Sequence, residues 1–109
     1  MYMEALGFAE VARFEDHEGF DGIILALPNE HWHIDFTYCR HHPVTPAPTP
    51  EDLLVFYVPA EDEWQRACDA MLRAGFSEAV AFNPYWALKG RTFADADGYR
   101  VVVQMASWG

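Results

Sequence analysis

Apolar and polar residues alternate strictly along residues 31–38. The two sets are His31, His33, Asp35 and Thr37 at the odd positions, and Trp32, Ile34, Phe36 and Tyr38 at the even positions. A period of two residues indicates a β-strand with two different faces, because successive side chains of a strand point to opposite sides. We therefore expect the apolar set to lie in the core beneath a helix, and the polar set to face the other way.

Helical spacing replaces this alternation in the second half of the chain. Apolar residues from Trp64 to Leu72 recur at i, i+3, i+4, i+7 and i+8, which predicts a helix over residues 60–75. Short apolar runs predict strands at 52–59, 77–82, 91–94 and 99–106. Residues 83–90, which contain Pro and Gly, predict a loop, and residues 95–98 predict a turn. The second half is therefore expected to be βαβββ.

The first half resembles the second in sequence. "LGFAEVARF" (Leu6 to Phe14) matches "AGFSEAVAF" (Ala74 to Phe82) at an offset of 68 residues. A helix end at residues 3–6 and strands at 8–16, 20–28 and 31–39 give the first half the order αβββ. Its opening strand and most of its helix would lie before Met1, so we expect that this start was placed inside a longer reading frame. The missing strand would leave a sheet edge that favours pairing with another chain.

These patterns predict one domain built from two modules. Module one covers residues 1–39, module two covers 52–109, and a linker with four prolines covers 40–51. The length of 109 residues fits a single small domain, and 51% hydrophobic residues support a folded core.

Composition excludes several function classes. A net charge of −10 with only seven Lys and Arg argues against duplex nucleic acid and an anionic membrane surface as partners. No signal peptide, transmembrane segment, phosphate-binding loop, dinucleotide fingerprint or nucleophile elbow is visible. Two cysteines do not make a disulfide framework, so we interpret Cys39 and Cys68 as free thiols of a cytoplasmic protein, with Cys68 in the core.

The paired modules carry motifs of a known superfamily. "ALGF" (residues 5–8), "HIDFT" (33–37) and "FADADGYRVVV" (93–103) resemble the vicinal oxygen chelate superfamily, and in particular an uncharacterised bacterial glyoxalase-like subgroup. The superfamily includes glyoxalase I, extradiol dioxygenases, fosfomycin-resistance transferases and bleomycin-binding proteins. The resemblance implies an α+β fold of two βαβββ modules whose antiparallel or mixed sheets curl into a cup, with the first module lacking its opening strand. It also implies a homodimer.

The metal ligands of the superfamily are mostly absent at the matching positions. They come from the first and last strand of each module, and the match places them before Met1, at Asp35, at Leu53 and at Val102. Leucine and valine cannot donate a lone pair to a metal, and a catalytic zinc site needs about three protein ligands. We therefore predict no metal, with Asp35 as a remnant position, and no cofactor.

Strand alternation places a mixed set of side chains in the expected cup. Tyr85 and Trp86 are candidates for an aromatic lid, with Asn83 as a polar contact. The full predicted ligand-binding set is His33, Asp35, Thr37, Val55, Tyr57, Asn83, Tyr85, Trp86, Arg100, Val102 and Gln104. A largely apolar cup with a few polar groups suits a small organic ligand.

Three functions remain open from these residues. The first is a metal-independent protein that binds, sequesters or senses a hydrophobic or aromatic compound. The second is a metal-dependent lyase or dioxygenase of the superfamily, with a metal held by His33, Asp35 and a further residue missing here or supplied by a partner chain. The third is a metal-free lyase or isomerase in which His33 and Asp35 form a catalytic acid–base pair. Asp35 could instead pair with Arg100, and His41 and His42 in the linker could bind metal adventitiously.

Overall fold

The computed structural model describes residues 1–27, 32–40 and 45–107, and all structural statements below concern these residues. Three helices and seven strands lie along them. They are α1 (Tyr2–Leu6), β1 (Ala9–His17), β2 (Phe20–Ala26), β3 (His33–Cys39), β4 (Leu53–Tyr57), α2 (Glu61–Arg73), β5 (Ser77–Ala79), α3 (Tyr85–Leu88), β6 (Gly90–Ala94) and β7 (Arg100–Gln104). The fold is α+β, as the sequence predicts.

The first sheet is an antiparallel meander of local hairpins. Its strand order is β1-β2-β3, and β2 pairs with β3 through seven consecutive residue pairs from Phe20↔Cys39 to Ala26↔His33. The tight turn between β1 and β2 uses Glu18 and Gly19, both with positive φ. Glycine adopts that conformation without steric cost.

The second sheet is mixed and has the order β4-β7-β6-β5. Its first strand, β4, pairs in parallel with its last strand, β7, in a register from Leu53↔Arg100 to Tyr57↔Gln104. The remaining pairs, β7 with β6 and β6 with β5, are antiparallel. Strand alternation therefore places Leu53, Val55 and Tyr57 on the same face as Val102 and Gln104.

The main core lies between α2 and one face of the second sheet. Cys68 and Met71 on the helix and Phe93, Val101 and Val103 on the sheet are fully buried and form one cluster. The Trp64 indole N–H donates a hydrogen bond of 2.9 Å to the Val103 carbonyl oxygen, which fixes the helix on the sheet. We call the sheet face opposite α2 the cup face.

Helix α1 joins the two modules. Its Ala5 belongs to the core cluster under α2, and the Tyr2 ring packs against Phe36 of β3 and Phe76 after α2, with centroid distances of 5.2 and 5.1 Å. The Tyr2 hydroxyl also donates to Asp95 Oδ2 over 2.8 Å, across 93 positions of sequence. The first helix is thereby tied to the last turn of module two.

The expected burial of the apolar side of β3 is wrong. Phe36 does face α1, but Trp32, Phe36 and Tyr38 remain 41%, 39% and 54% exposed. Two causes are visible in the described structure: α1 is only five residues long, and no strand pairs with the outer edge of β3. The alternation is thus correct for side-chain direction and misleading for burial.

Residues 77–90 also differ from their prediction. The strand expected over 77–82 ends at Ala79, and the loop expected over 83–90 contains the short helix α3. The Asn83 side-chain carbonyl accepts a 3.0 Å hydrogen bond from the Tyr85 N–H, and Pro84 precedes the first helical residue. Asn and Pro favour helix starts as well as loops, and here they begin the short helix α3 immediately before β6.

Candidate ligand site

The strongest candidate site lies on the cup face of the second sheet. Val102 is fully buried there, and Thr92 and Gln104 are 3% and 4% exposed. Neither the Thr92 hydroxyl oxygen nor the Gln104 side-chain carbonyl oxygen has a hydrogen-bond partner within the described structure. Buried polar atoms are nearly always paired, and an unpaired one costs about 1–3 kcal/mol. Two such atoms on adjacent strands make this part of the cup face a candidate contact for a polar ligand group.

The absence of a side chain at Gly90 leaves room for the Gln104 side chain. The two residues are directly opposite each other on β6 and β7. A Cβ at position 90 would collide with Gln104 Oε1 and would lie 2.8 Å from the Trp86 carbonyl oxygen. The missing side chain thus lets α3 and the Gln104 side chain both approach the same point of the sheet.

A cavity opens beside Gln104. Its volume is about 410 Å³, and it is lined by Tyr57, Tyr85, Leu88, Lys89, Gln104, Ala106 and Ser107. Ligand sites are concave and largely apolar, with a few polar groups and volumes of roughly 300–1,000 Å³. Three of the predicted ligand-binding residues, Tyr57, Tyr85 and Gln104, therefore meet at one cavity.

Of the predicted aromatic lid and its polar contact, only Tyr85 lines the cavity. Tyr85 lines the cavity and packs edge-on against Trp86, with their ring centroids 5.0 Å apart. Trp86 is half-buried, and its carbonyl oxygen lies over Gly90. Asn83 uses its side chain at the start of α3 and is not among the residues lining the cavity.

The predicted residues of β3 lie elsewhere. His33 and Asp35 are neighbours on one face of the strand, with His33 Nε2 3.2 Å from Asp35 Oδ1, and both are about half exposed. The two side chains therefore contact each other, whereas within the described ranges no ion pair joins Asp35 to Arg100. Arg100 instead donates to the Val80 carbonyl oxygen over 3.2 Å. Neither His33 nor Asp35 lines the cavity at Gln104.

Thr37 faces a second cavity, of about 440 Å³, in module one. Two arginines line it, but each already has a carboxylate: Arg13 contacts Glu10, and Arg40 contacts Asp21. The hydrogen bond from Arg40 lowers the pKa of Asp21, so this carboxylate stays charged. The cavity therefore offers little uncompensated positive charge to an anionic ligand.

The two remaining predicted residues, Val55 and Val102, are partners in the second sheet. Val55 is half-buried. Sequence reasoning missed Leu88, Lys89, Gly90 and Thr92. Alternation along residues 90–94 could have placed Thr92 on the cup face beside Val102, its partner in the sheet.

Metal-binding side chains do not assemble in the described part of the chain. Over residues 1–27, 32–40 and 45–107, no group of three or more His, Cys, Asp or Glu could hold a metal ion. His31, His41 and His42, from the histidine-rich segment, lie outside the described residues. In the same ranges, no helix has both the length and the apolar character needed to cross a membrane.

The two sheets, the parallel pairing of β4 with β7 and the helix packed on one face define a class. The fold is that of glyoxalase and bleomycin- or fosfomycin-resistance proteins in the vicinal oxygen chelate superfamily. A glyoxalase/bleomycin resistance protein/dioxygenase domain from Frankia sp. EAN1pec shares it at 18% identity, with a TM-score of 0.71 over 97% of this chain and 84% of that one. FosX, a fosfomycin resistance protein from Mesorhizobium loti, gives a TM-score of 0.65 at 9% identity, over 97% and 78%.

Within that class, the chain belongs to the YycE-like family. Residues 1–37 match the YycE-like N-terminal domain, and residues 51–105 match the YycE-like C-terminal domain. The uncharacterized protein YycE of Bacillus subtilis (strain 168) is 37% identical over 101 residues, which cover 93% of this chain and 73% of YycE. The crystal structure of a YycE protein from Bacillus subtilis, described as a protein of unknown function, superposes with a TM-score of 0.87 over 99% of this chain and 78% of that one.

Proposed function

We propose that this protein binds a small organic molecule with a flat apolar body, without a metal, in the cavity between Tyr57, Tyr85 and Gln104. The observation that carries the proposal is that Gln104, which lines this cavity, has a buried side-chain carbonyl oxygen with no hydrogen-bond partner in the described structure. A ligand N–H or O–H can satisfy this oxygen. The two tyrosine rings and Leu88 supply apolar contact for an aromatic or other flat body.

The side chains at the expected metal-ligand positions support binding without a metal. Leu53 and Val102 occupy two positions where the superfamily resemblance implies metal ligands, and both lie on the cup face. Aliphatic side chains offer no lone pair, and the His33–Asp35 pair alone falls short of the three ligands that a catalytic zinc site needs.

Gln104→Leu tests the ligand site with two opposite effects. The free protein should become more stable, by about 1 kcal/mol, because an unpaired buried carbonyl is removed. Affinity for ligands found in a thermal-shift screen of planar aromatic compounds with amide, amine or hydroxyl donors should fall at least ten-fold. Gln65→Leu, on the exposed side of α2, is the matched control and should leave affinity unchanged. Unchanged affinity in Gln104→Leu would contradict the proposal.

Metal analysis of tag-free protein separates binding from metal-dependent catalysis. We expect less than one divalent ion per ten chains after purification. About one tightly held ion per chain, lost in Asp35→Ala, would instead support the metal-dependent lyase or dioxygenase. We place the protein in the cytoplasm, where the free thiols Cys39 and Cys68 would stay reduced.

We also propose a homodimer in which a second copy covers the segment beside the cavity. This segment exposes four large apolar or aromatic side chains close together in sequence: Val80, Phe82, Tyr85 and Leu88 are 90%, 67%, 58% and 78% exposed. Exposed apolar surface of this kind is typical of a protein–protein contact. Sedimentation should give about twice the mass of one chain. Val80→Asp with Phe82→Asp should yield monomers, whereas Val11→Asp, on exposed β1, should not. A monomeric unmodified protein at micromolar concentration would refute the dimer.

A further inference from the structure

Lys89 is the only lysine of the 109-residue chain, and it lines the ligand cavity together with Gln104. The chain has a net charge of −10 and only seven Lys and Arg residues. One of these few cations therefore stands at the proposed ligand site, and its presence there bears on the charge of the ligand.

Lys89 has no carboxylate partner in the part of the chain that the structure describes. Four arginines each pair with an Asp or Glu side chain, namely Arg13, Arg40, Arg66 and Arg91. Over the same described ranges, no ion pair joins Lys89 to an acidic side chain. A lysine ammonium has three N–H donors and no acceptor. The described residues therefore leave the charge of Lys89 uncompensated.

The cavity wall adds no negative charge of its own. None of the described residues that line the cavity is an Asp or Glu. The chain has 17 such residues, and the 440 Å³ cavity of module one has Glu15 and Asp21 among its lining residues. A carboxylate close to a bound anion would repel it. The cavity beside Gln104 is thus a local environment that favours an anion within an acidic protein.

Backbone hydrogen bonds hold Lys89 and Gln104 at the same end of the second sheet. The Met105 N–H donates to the Lys89 carbonyl oxygen over 2.7 Å, and the Val58 N–H donates to the Gln104 carbonyl oxygen over 2.8 Å. Lys89 directly precedes Gly90, which is the partner of Gln104 in the sheet. Strand pairing therefore fixes the backbone of both residues beside one cavity.

We propose that the ligand of this cavity is a flat aromatic acid with one carboxylate and one N–H or O–H group. This assignment rests on the proposed function and adds the charge of the ligand. The carboxylate pairs with the Lys89 ammonium, the N–H or O–H group donates to the Gln104 side-chain carbonyl oxygen, and Tyr85 contacts the flat body. A carboxylate fits better than a phosphate, because one cation balances one negative charge, whereas a phosphate monoester carries about two at pH 7.

Matched acids and amides test the proposal on tag-free protein. The probes are indole-3-acetic acid and 6-hydroxy-2-naphthoic acid, each compared with its primary amide, which keeps the shape and loses the charge. Calorimetry at pH 7 should show each acid binding about three- to five-fold more tightly than its amide, a modest difference because Lys89 is exposed and water screens the pair. Raising the salt concentration to about 1 M should remove most of this difference.

The single lysine allows a direct observation of the contact. Protein made with lysine labelled with ¹³C at Cε has one labelled side chain. Its NMR signal should shift saturably with each acid and should shift less with each amide.

Three variants separate a contact at Lys89 from the general effect of charge. Lys89→Met should lower the affinity for each acid to that for its amide, whereas Lys89→Arg should keep it within about two-fold, because the charge remains. Arg66→Met removes one charge from the exposed side of α2 and should leave the difference between acid and amide unchanged.

The outcomes distinguish this proposal from the proposed function. Amides that bind as tightly as the acids, or a labelled Lys89 signal that neither acid moves, would overturn the acid assignment. Amide binding that is lost in Gln104→Leu would then show that the ligand site itself stands. If none of the four compounds binds, the acid assignment and the proposed ligand site are both contradicted.

Discussion

Gly90 and Gly22 show how the atoms around a glycine determine the cost of replacing it with a larger residue. Both lie in strands, and an added Cβ would collide at both. At Gly22 the obstacle is the far end of the half-buried Phe14 ring, which can turn aside. At Gly90 one obstacle is the Trp86 backbone carbonyl, 2.8 Å away, which moves only if α3 moves.

Gly90→Ala should therefore destabilise the protein more than Gly22→Ala. We expect a loss of about 1–3 kcal/mol for Gly90→Ala, the usual cost of forcing atoms into a packed site, and a smaller loss for Gly22→Ala. Urea denaturation measures both. A cost for Gly22→Ala equal to or above that for Gly90→Ala would show that α3 yields more easily than the Phe14 ring.

Helix α2 lacks a side-chain cap at its start. Ala60 has the extended backbone of an N-cap residue, and its carbonyl accepts the first helical bond, from the Trp64 N–H at 2.8 Å. Glu63 stands three residues later, the position of the acidic residue in a capping box.

Ala60→Ser should stabilise the protein by about 0.5–2 kcal/mol, because the hydroxyl would satisfy a free N–H of the first turn. Thermal and urea unfolding measure the gain. Ala60→Val adds similar volume without an oxygen and should give none. In a Glu63→Ala background the gain in stability from Ala60→Ser should be smaller. A gain of the same size would show that the Glu63 side chain does not bond back to the N–H of residue 60.

Sequence patterns predict elements here better than they predict burial. The helical face from Trp64 to Leu72 and the alternation of β7 place the core residues Met71, Val101 and Val103 where the structure has them. The alternation along residues 31–38 predicts Trp32 and Tyr38 to be core residues in the same way, yet both are exposed. Burial depends on a covering helix or strand, which the local sequence does not reveal. The pairing of His33 with Asp35 follows from their spacing, whereas the meeting of Tyr57, Tyr85 and Gln104 depends on strand register and on α3.

At the scale of the whole molecule, Tyr2 links the modules. Burial first, and then the hydrogen bond to Asp95, raise the pKa of the Tyr2 hydroxyl above its usual range. A raised folded-state pKa gives stability that is present below the unfolded pKa of about 10 and is lost as pH rises beyond it. The contact between modules should weaken in alkali.

Tyr2→Phe should lower the unfolding free energy at pH 7 by about 1–2 kcal/mol, because Asp95 loses a donor. It should also reduce the loss of stability above pH 10. Urea titrations at pH 7, 9 and 10.5 measure both effects. Tyr38→Phe removes an exposed hydroxyl and should leave the pH 7 value unchanged. An equal alkaline decline in Tyr2→Phe and the unmodified protein would rule out Tyr2 as its source.

The parallel pairing of β4 with β7 also sets an order of assembly during translation. Every strand pair of the first sheet joins neighbours in the chain, so that sheet can form hairpin by hairpin as the chain leaves the ribosome. The second sheet joins Leu53 to Arg100, so α2 has no completed sheet to pack on until the last strand has emerged. A chain whose last strand has not yet emerged from the ribosome would hold a paired β1-β2-β3 sheet beside an apolar α2 face, the state in which a chaperone would find most apolar surface to bind.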